Sequence, residues 1–238
     1  PHPPLQRPAL PAGGGRAVRL GRRLLDLFFP PKCVFCRRIL PENETELCRA
    51  CRDRYLSDDV PDVRRGEPSF SVCDSAVYYE DAVAASFKRF KFGGMQSYAA
   101  CYGRLLAMTV LRRGREFDVL TYVPISDRRR RRRGYDQARL IAEAAARELG
   151  VPCVQTLRKV RDIPAQSGLR SASERRGNVK NVYCAAHPES VSGKRVLLID
   201  DLITTGATLS EAAQTLRFAG ASGVSCATLA ATRQKNSR

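Results

Sequence analysis

The 238-residue sequence lacks long hydrophobic runs and has few aromatic residues, few histidines and few acidic residues. No segment approaches the ~18 consecutive apolar residues of a membrane span, and residues 1–16 contain no apolar core typical of a secretory signal, so we expect a cytoplasmic protein. Aromatic residues make up only 7% of the chain, which gives no sign of a platform for stacking single-stranded bases. The only histidines, His2 and His187, lie in polar or proline-flanked segments, which argues against a catalytic zinc site.

The shortage of acidic residues leaves a strongly basic chain. Lysine and arginine number 41 against 24 aspartate and glutamate residues, for a formal net charge of +17. Such a charge attracts polyanions, and both nucleic acid and phosphorylated small molecules remain candidates. A basic surface that is merely solvated is the alternative, because net charge alone carries no specificity.

The composition predicts three parts of the chain. Residues 1–16, rich in proline and glycine, are expected to be a disordered leader. Residues 17–60 contain an apolar stripe that predicts a short amphipathic helix, packed on the core or on a membrane surface, followed by a cysteine cluster. A polar stretch then predicts a linker, and residues 72–238 are expected to form the main domain.

Strand-like and helix-like patterns alternate through this main domain. Strands are predicted at 75–79, 119–123, 151–157, 179–185, 195–200 and 224–230, and helices at 81–91, 98–112, 136–149 and 208–219. This alternation predicts an α/β fold with a largely parallel sheet and helices on both of its faces.

The richest chemistry follows the apolar run at 195–199. Two acids, Asp200 and Asp201, come next, at the sheet edge where ligands bind. The turn after them contains Thr204, Thr205, Gly206, Ala207 and Thr208, whose backbone N–H groups and hydroxyls can converge on a phosphate at a helix N-terminus. Adjacent carboxylates would repel that phosphate unless they accept hydrogen bonds from sugar hydroxyls, with Mg²⁺ or donors offsetting the charge. A ribose 5-phosphate fits this pattern; a turn that only caps the following helix is the alternative.

The string DDLITTGAT resembles the signature of type I phosphoribosyltransferases. The resemblance implies that the acidic pair holds the ribose 2′- and 3′-hydroxyls of phosphoribosyl pyrophosphate (PRPP) and that the threonine-rich turn holds its 5′-phosphate. Pro124, Ile125 and Ser126 likewise resemble the pyrophosphate-binding loop of these enzymes. Six arginines follow at 128–133; most are expected to be solvated, and Arg133 is the best candidate to contact the ligand.

A longer resemblance extends over residues 17–232. The segments LLDLFFPPKCVFC, FKFGG, VPIS, RRRRGYDQA, QSGLRSASERRGNV and RVLLIDDLITTGAT are similar, in this order, to the competence protein F (ComF) family. The resemblance implies an N-terminal zinc ribbon joined to a type I phosphoribosyltransferase fold and a link to DNA uptake. Asp136 stands where the family usually has asparagine, and Ser126 where it usually has a second proline.

The segment 158–178 is polar and basic, which suits a flexible loop that folds over a bound ligand. Gln166, Arg175 and Asn178 match the family pattern in this loop. A plain surface loop is the alternative.

Two CxxC pairs, Cys33 with Cys36 and Cys48 with Cys51, offer four thiolates to one ion. Four thiolates fit a closed tetrahedral zinc site, which is structural, and this is favoured over free thiols or disulfides. Pro41, Glu42 and Asn43 provide the chain reversal between the pairs. The other five cysteines are expected to pack as small hydrophobic residues.

Two classes of function follow. A binding protein would hold PRPP with Mg²⁺, contact nucleic acid such as single-stranded DNA through its basic residues, and meet proteins of the competence machinery. An enzyme of nucleotide metabolism or salvage would transfer the ribosyl phosphate to an acceptor. No acceptor site is evident in the sequence, so turnover stays open.

Overall fold

The computed structural model describes residues 29–56, 68–160 and 182–233. The expected leader and nearly all of the expected amphipathic helix lie outside these residues. So do Gln166, Arg175 and Asn178 of the expected flexible loop.

The described residues form six helices, six strands and one 3₁₀ turn at Pro188–Ser190. The helices are α1 (Arg49–Tyr55), α2 (Asp81–Phe92), α3 (Tyr98–Arg112), α4 (Asp127–Arg133), α5 (Gln137–Leu149) and α6 (Ala207–Phe218). The strands are β1 (Cys73–Tyr78), β2 (Val119–Tyr122), β3 (Leu157–Lys159), β4 (Tyr183–Ala185), β5 (Arg195–Ile203) and β6 (Gly223–Ala231).

Four of the strands form a parallel sheet in the order β1-β6-β5-β2. Strand β5 lies inside this sheet, with Ile199 opposite Ala227 of β6 on one side and Tyr122 of β2 on the other. A strand with neighbours on both sides and helices above and below reads as an unbroken apolar run, as residues 196–199 do. The predicted parallel sheet is confirmed.

Helices cover both faces of the sheet, as predicted. Side chains alternate along β5, so Leu197 and Ile199 join one core with α2, α3 and α5, whereas Val196 and Leu198 join a second core with α6. Helices α3 and α5 approach closely at Gly103, where a Cβ atom would lie 2.4 Å from the Cβ of Ala144.

One predicted strand was wrong in its position. The sequence predicts a strand over 151–157, but only an isolated bridge between Cys153 and Leu120 forms there, and β3 begins at Leu157. Pro152 has no N–H to donate to a strand ladder. A buried hydrogen bond of 2.7 Å between the hydroxyls of Thr156 and Thr121 ties the segment to β2 instead.

The cysteine segment packs on the same core as α2 and α3. Its buried residues include Val34, Phe35 and Leu47, and they form one continuous cluster with Phe90 and Tyr102. The polypeptide between the two CxxC pairs folds back on itself, with an antiparallel bridge between Lys32 and Ile39. The segment is therefore part of the packed structure and contacts α2 and α3 directly.

Candidate functional site

The acidic pair lies at the carboxyl end of β5, but inside the strand. The sequence predicts that the strand ends at Asp200, whereas pairing with β6 continues to Ile203. Asp200 is opposite Thr228, and Leu202 is opposite Ala230. Because successive side chains of a strand point to opposite faces, the two carboxylates leave β5 on different sides, which spreads them around whatever binds there.

Each acid has a defined partner. Asp201 Oδ2 lies 2.8 Å from Lys91 Nζ of α2, and both side chains are mostly buried. The Asp201 backbone N–H donates to Asp200 Oδ1 at 2.8 Å. Burial, followed by the neighbouring Asp201 charge, raises the pKa of Asp200 to about 8. Asp200 thus carries a proton in part of the population near neutral pH.

The threonine-rich turn leads from β5 into α6 and forms a small concave surface. Residues 202–209 line this surface together with Asp200. Gly206 occupies the N-cap position of α6 with φ of 84°, a left-handed conformation that favours glycine. The first turn of α6 has no acidic residue, so the positive end of the helix dipole is available to a phosphate.

The segment after β2 is held by Asp136. Its carboxylate accepts hydrogen bonds from the N–H of Ile125 at 2.9 Å and from the N–H of Arg139 at 3.2 Å. Burial raises the pKa of Asp136, and the charge of Asp201 adds to this effect. Asp136 therefore caps α5 and fixes the Pro124–Ser126 segment near the acidic pair.

The six arginines belong to a helix that the sequence analysis did not predict. Ser126 caps α4 by accepting from the Arg129 N–H at 3.3 Å, and Gly134 ends it in a left-handed conformation with φ of 81°. A serine followed by Asp127 and, after the run, a glycine are ordinary helix boundary signals, and they could have revealed it.

Arg133 differs from the other arginines of α4. It is the partly buried arginine whose Nη1 donates to Gln137 Oε1 at 2.7 Å and whose guanidinium lies 5.1 Å from the centre of the Phe92 ring. Burial lowers the pKa of Arg133, an effect that the nearby Asp201 charge opposes. Within the described residues its buried Nε has no hydrogen-bond partner. An unsatisfied buried donor beside the acidic pair suits an anionic acceptor.

Lys91 is the site residue that the sequence analysis missed. It lies in the FKFGG segment, which was noted only as part of the family pattern, and nothing in the local sequence links it to Asp201. The site thus combines three carboxylates with two cations, which are Asp136, Asp200, Asp201, Lys91 and Arg133.

The ends of the expected flexible loop are held together. Strands β3 and β4 pair in antiparallel fashion, and the Val160 N–H donates to the Val182 carbonyl at 2.8 Å. The three residues predicted for this loop lie between these ends, outside the described residues.

The four cysteines of the two CxxC pairs come together. Their sulfur atoms all lie within 4.8 Å of one another, and Cys36 Sγ is 3.6 Å from Cys48 Sγ. Zn–S bonds of about 2.3 Å in a tetrahedron place sulfurs about 3.8 Å apart, so the cluster fits a structural zinc ion. In the part of the chain that the structure describes, this is the one cluster of three or more such ligands. Cys73, the remaining cysteine nearest to the cluster in sequence, is buried in β1.

Among the described residues, no helix has both the length and the apolar character needed to cross a membrane.

Two family models match the chain. The phosphoribosyl transferase domain matches residues 136–238, and the double zinc ribbon domain matches residues 24–61. The first contains the acidic pair and the turn after it, and the second contains all four clustered cysteines.

Curated relatives match most of the chain. Competence protein F of Haemophilus influenzae is 29% identical over 81% of this chain and 93% of its own length. DNA utilization protein YhgH of Salmonella typhimurium is 31% identical over 81% of this chain and 86% of its own length. Competence protein ComFC of Bacillus subtilis is 31% identical over 83% of this chain and 76% of its own length.

Proposed function

Because this chain belongs to the competence protein F (ComF) family, we propose that it binds PRPP at the end of β5 and supports the uptake or use of DNA. The names of its relatives, which refer to competence and to DNA utilization, support the second part. The first part depends on the geometry of the site.

The observation that carries PRPP binding is the position of two carboxylates next to a helix N-terminus. Asp200 and Asp201 can accept hydrogen bonds from the two ribose hydroxyls, while the residues at 204–208 receive the 5′-phosphate. A phosphate alone would not need the acids, and a sugar alone would not need the helix terminus. A phosphorylated ribose uses both.

The pyrophosphate of the ligand would lie toward Arg133 and the Pro124–Ser126 segment. The buried Nε of Arg133 can donate to a pyrophosphate oxygen, and Mg²⁺ bound to PRPP would reduce the repulsion from the carboxylates. We also propose that Gln166, Arg175 and Asn178 complete the site from the flexible loop.

Nucleic acid would bind elsewhere, on the outer side of α4. Arg128, Arg131 and Arg132 of this helix are exposed, and together they present positive charge to solvent. We propose that single-stranded DNA contacts this surface through its phosphates, independently of base sequence.

The proposed division of the chain assigns structure to residues 17–60 and ligand binding to residues 72–238. A thiolate-bound zinc ion is consistent with a reducing compartment, so we propose that the protein acts in the cytoplasm, in contact with proteins of the competence machinery.

Isotope-labelled PRPP tests the proposal. The protein is incubated with labelled PRPP and Mg²⁺, with and without nucleobases, and both binding and pyrophosphate release are followed. Binding without release supports a PRPP-binding protein, and release that depends on a base supports a phosphoribosyltransferase. If PRPP does not bind at millimolar concentration, the proposed ligand is wrong.

A further inference from the structure

The last turn of α2 connects the cysteine cluster to the acidic pair. Four consecutive residues, 89–92, each contact a different part of the molecule. Arg89 donates to carbonyls of the first CxxC loop, and the Phe90 carbonyl accepts from the Tyr135 hydroxyl. Lys91 pairs with Asp201, and the Phe92 ring lies under Arg133. This short segment therefore touches every part of the candidate site except the phosphate turn.

The contact with the cysteine cluster is a double one. Arg89 Nη2 lies 3.0 Å from the Val34 carbonyl oxygen and 2.6 Å from the Phe35 carbonyl oxygen. Both carbonyls belong to the loop between Cys33 and Cys36, whose backbone shape the bound ion would fix. The Arg89 Nε also donates to the Tyr98 hydroxyl at 3.3 Å. These contacts hold the end of α2 against the cysteine loop.

Lys91 leaves the opposite side of the same turn. Residues two apart on a helix are rotated by about 200°, so a helix held through Arg89 on one side directs Lys91 to the other. The Lys91 and Asp201 side chains are only 20% and 14% exposed. At this burial, desolvation offsets much of the attraction between the charges, so stability alone does not account for the pair.

Lys91 also determines how the acids share their space. Without it, Asp200, Asp201 and Asp136 would face one another with only Arg133 nearby to offset their charge. The ammonium holds one oxygen of Asp201 at 2.8 Å, which fixes the orientation of the carboxylate and leaves its second oxygen free to face a ligand.

We propose that Lys91 is a positioning residue for PRPP, which orients Asp201 toward a ribose hydroxyl and is itself located by the cysteine loop through Arg89. This inference rests on the proposed PRPP site. It gives the zinc ribbon a role in ligand binding, because the ribbon fixes the helix end that orders the acidic pair.

Four variants test the proposal by calorimetry with PRPP and Mg²⁺. Lys91→Met should weaken binding at least tenfold, and Lys91→Arg should recover affinity to within about threefold of the wild type. Lys88→Met, an exposed lysine on the same helix, is the matched control and should leave affinity unchanged. Arg89→Met should weaken binding by a smaller factor while Asp201 keeps its lysine nearby.

The double variant Arg89→Met with Lys91→Met separates positioning from a general loss of structure. If Arg89 acts through Lys91, the double variant binds no more weakly than Lys91→Met alone. Zinc content and the melting temperature of every variant are measured on the same samples. If Arg89→Met loses its zinc or unfolds, Arg89→Lys, which retains one donor, replaces it in the comparison.

The outcomes are distinct. Wild-type protein that does not bind PRPP contradicts the proposed function itself. Wild-type binding with unchanged affinity in Lys91→Met contradicts only the role of Lys91. Multiplicative losses in the double variant refute the connection through Arg89, and failure of Lys91→Arg to recover affinity refutes the need for a cation at this position.

Discussion

Replacing both acids of the pair, Asp200→Asn with Asp201→Asn, should abolish PRPP binding and leave the protein folded. Hydrogen bonds to charged acceptors contribute about 1.5–3 kcal/mol each, so losing two removes about 3–6 kcal/mol of binding free energy. That corresponds to a loss of about a hundredfold or more. Even if relief of the repulsion between carboxylates and ligand phosphates offsets half of this, we expect at least a tenfold loss.

The fold should tolerate the change because asparagine has nearly the size of aspartate. Two effects on stability oppose each other. Removing the Asp200 carboxylate relieves the cost of burying a charge, whereas removing the Asp201 charge leaves Lys91 without its partner at 2.8 Å. We expect a net change within about 1 kcal/mol, or about 2–4 °C in melting temperature.

Calorimetry with Mg²⁺ and PRPP, a thermal melt and a zinc assay on the same sample distinguish the two effects. Asp53→Asn is a suitable control because this side chain is 70% exposed and belongs to α1, away from the site. Unchanged PRPP affinity combined with a collapsed fold would show that the acidic pair is structural and that the motif has been misinterpreted.

Four further outcomes are expected. Elemental analysis should find about one zinc ion per chain, and removing it should lower the melting temperature; a metal-free, equally stable protein would contradict the zinc site. Serine at Arg128, Arg131 and Arg132 should reduce the salt dependence of DNA binding, measured by fluorescence anisotropy, by about 0.7 per lost phosphate contact. PRPP affinity should rise with pH through about 8, as Asp200 ionises, while the melting temperature of the free protein falls, because the raised pKa makes the protonated form the stabilising one; Asp200→Asn should remove both trends. Gly103→Val should cost at least about 1–3 kcal/mol in urea unfolding, because a Cβ there would lie 2.4 Å from the Ala144 Cβ.

The sheet and the cysteine cluster could be predicted because their signals are local. Apolar runs of strand length marked β1, β2, β5 and β6, and the spacing of the CxxC pairs was enough to predict that four sulfurs meet. The same local pattern placed the end of β5 too early, since two acids interrupt its apolar run. The backbone continues to pair because β6 extends beside it to Ala231, and this partner is not evident from the β5 sequence.

Lys91 and α4 could not be predicted for a different reason. The contact between Lys91 and Asp201 joins segments far apart in sequence, and only the packing of α2 against the sheet edge brings them together. Consecutive arginines repel one another at helical spacing, which disfavours an isolated helix. Helix α4 forms because Ser126 and Gly134 cap its ends and the Arg133 side chain packs against Phe92.

The acidic pair also discriminates between the two polyanions that a net charge of +17 attracts equally. PRPP carries free 2′- and 3′-hydroxyls that two carboxylates can accept. DNA lacks the 2′-hydroxyl, and within a strand its 3′-oxygen is esterified to phosphate, so its backbone would meet Asp200 and Asp201 only as like charges. The carboxylates therefore exclude DNA from the sheet edge while the exposed arginines of α4 attract it. Two anions sorted in this way occupy different surfaces, so saturating PRPP should leave the affinity for single-stranded DNA largely intact, whereas strong competition would mean that both use one site.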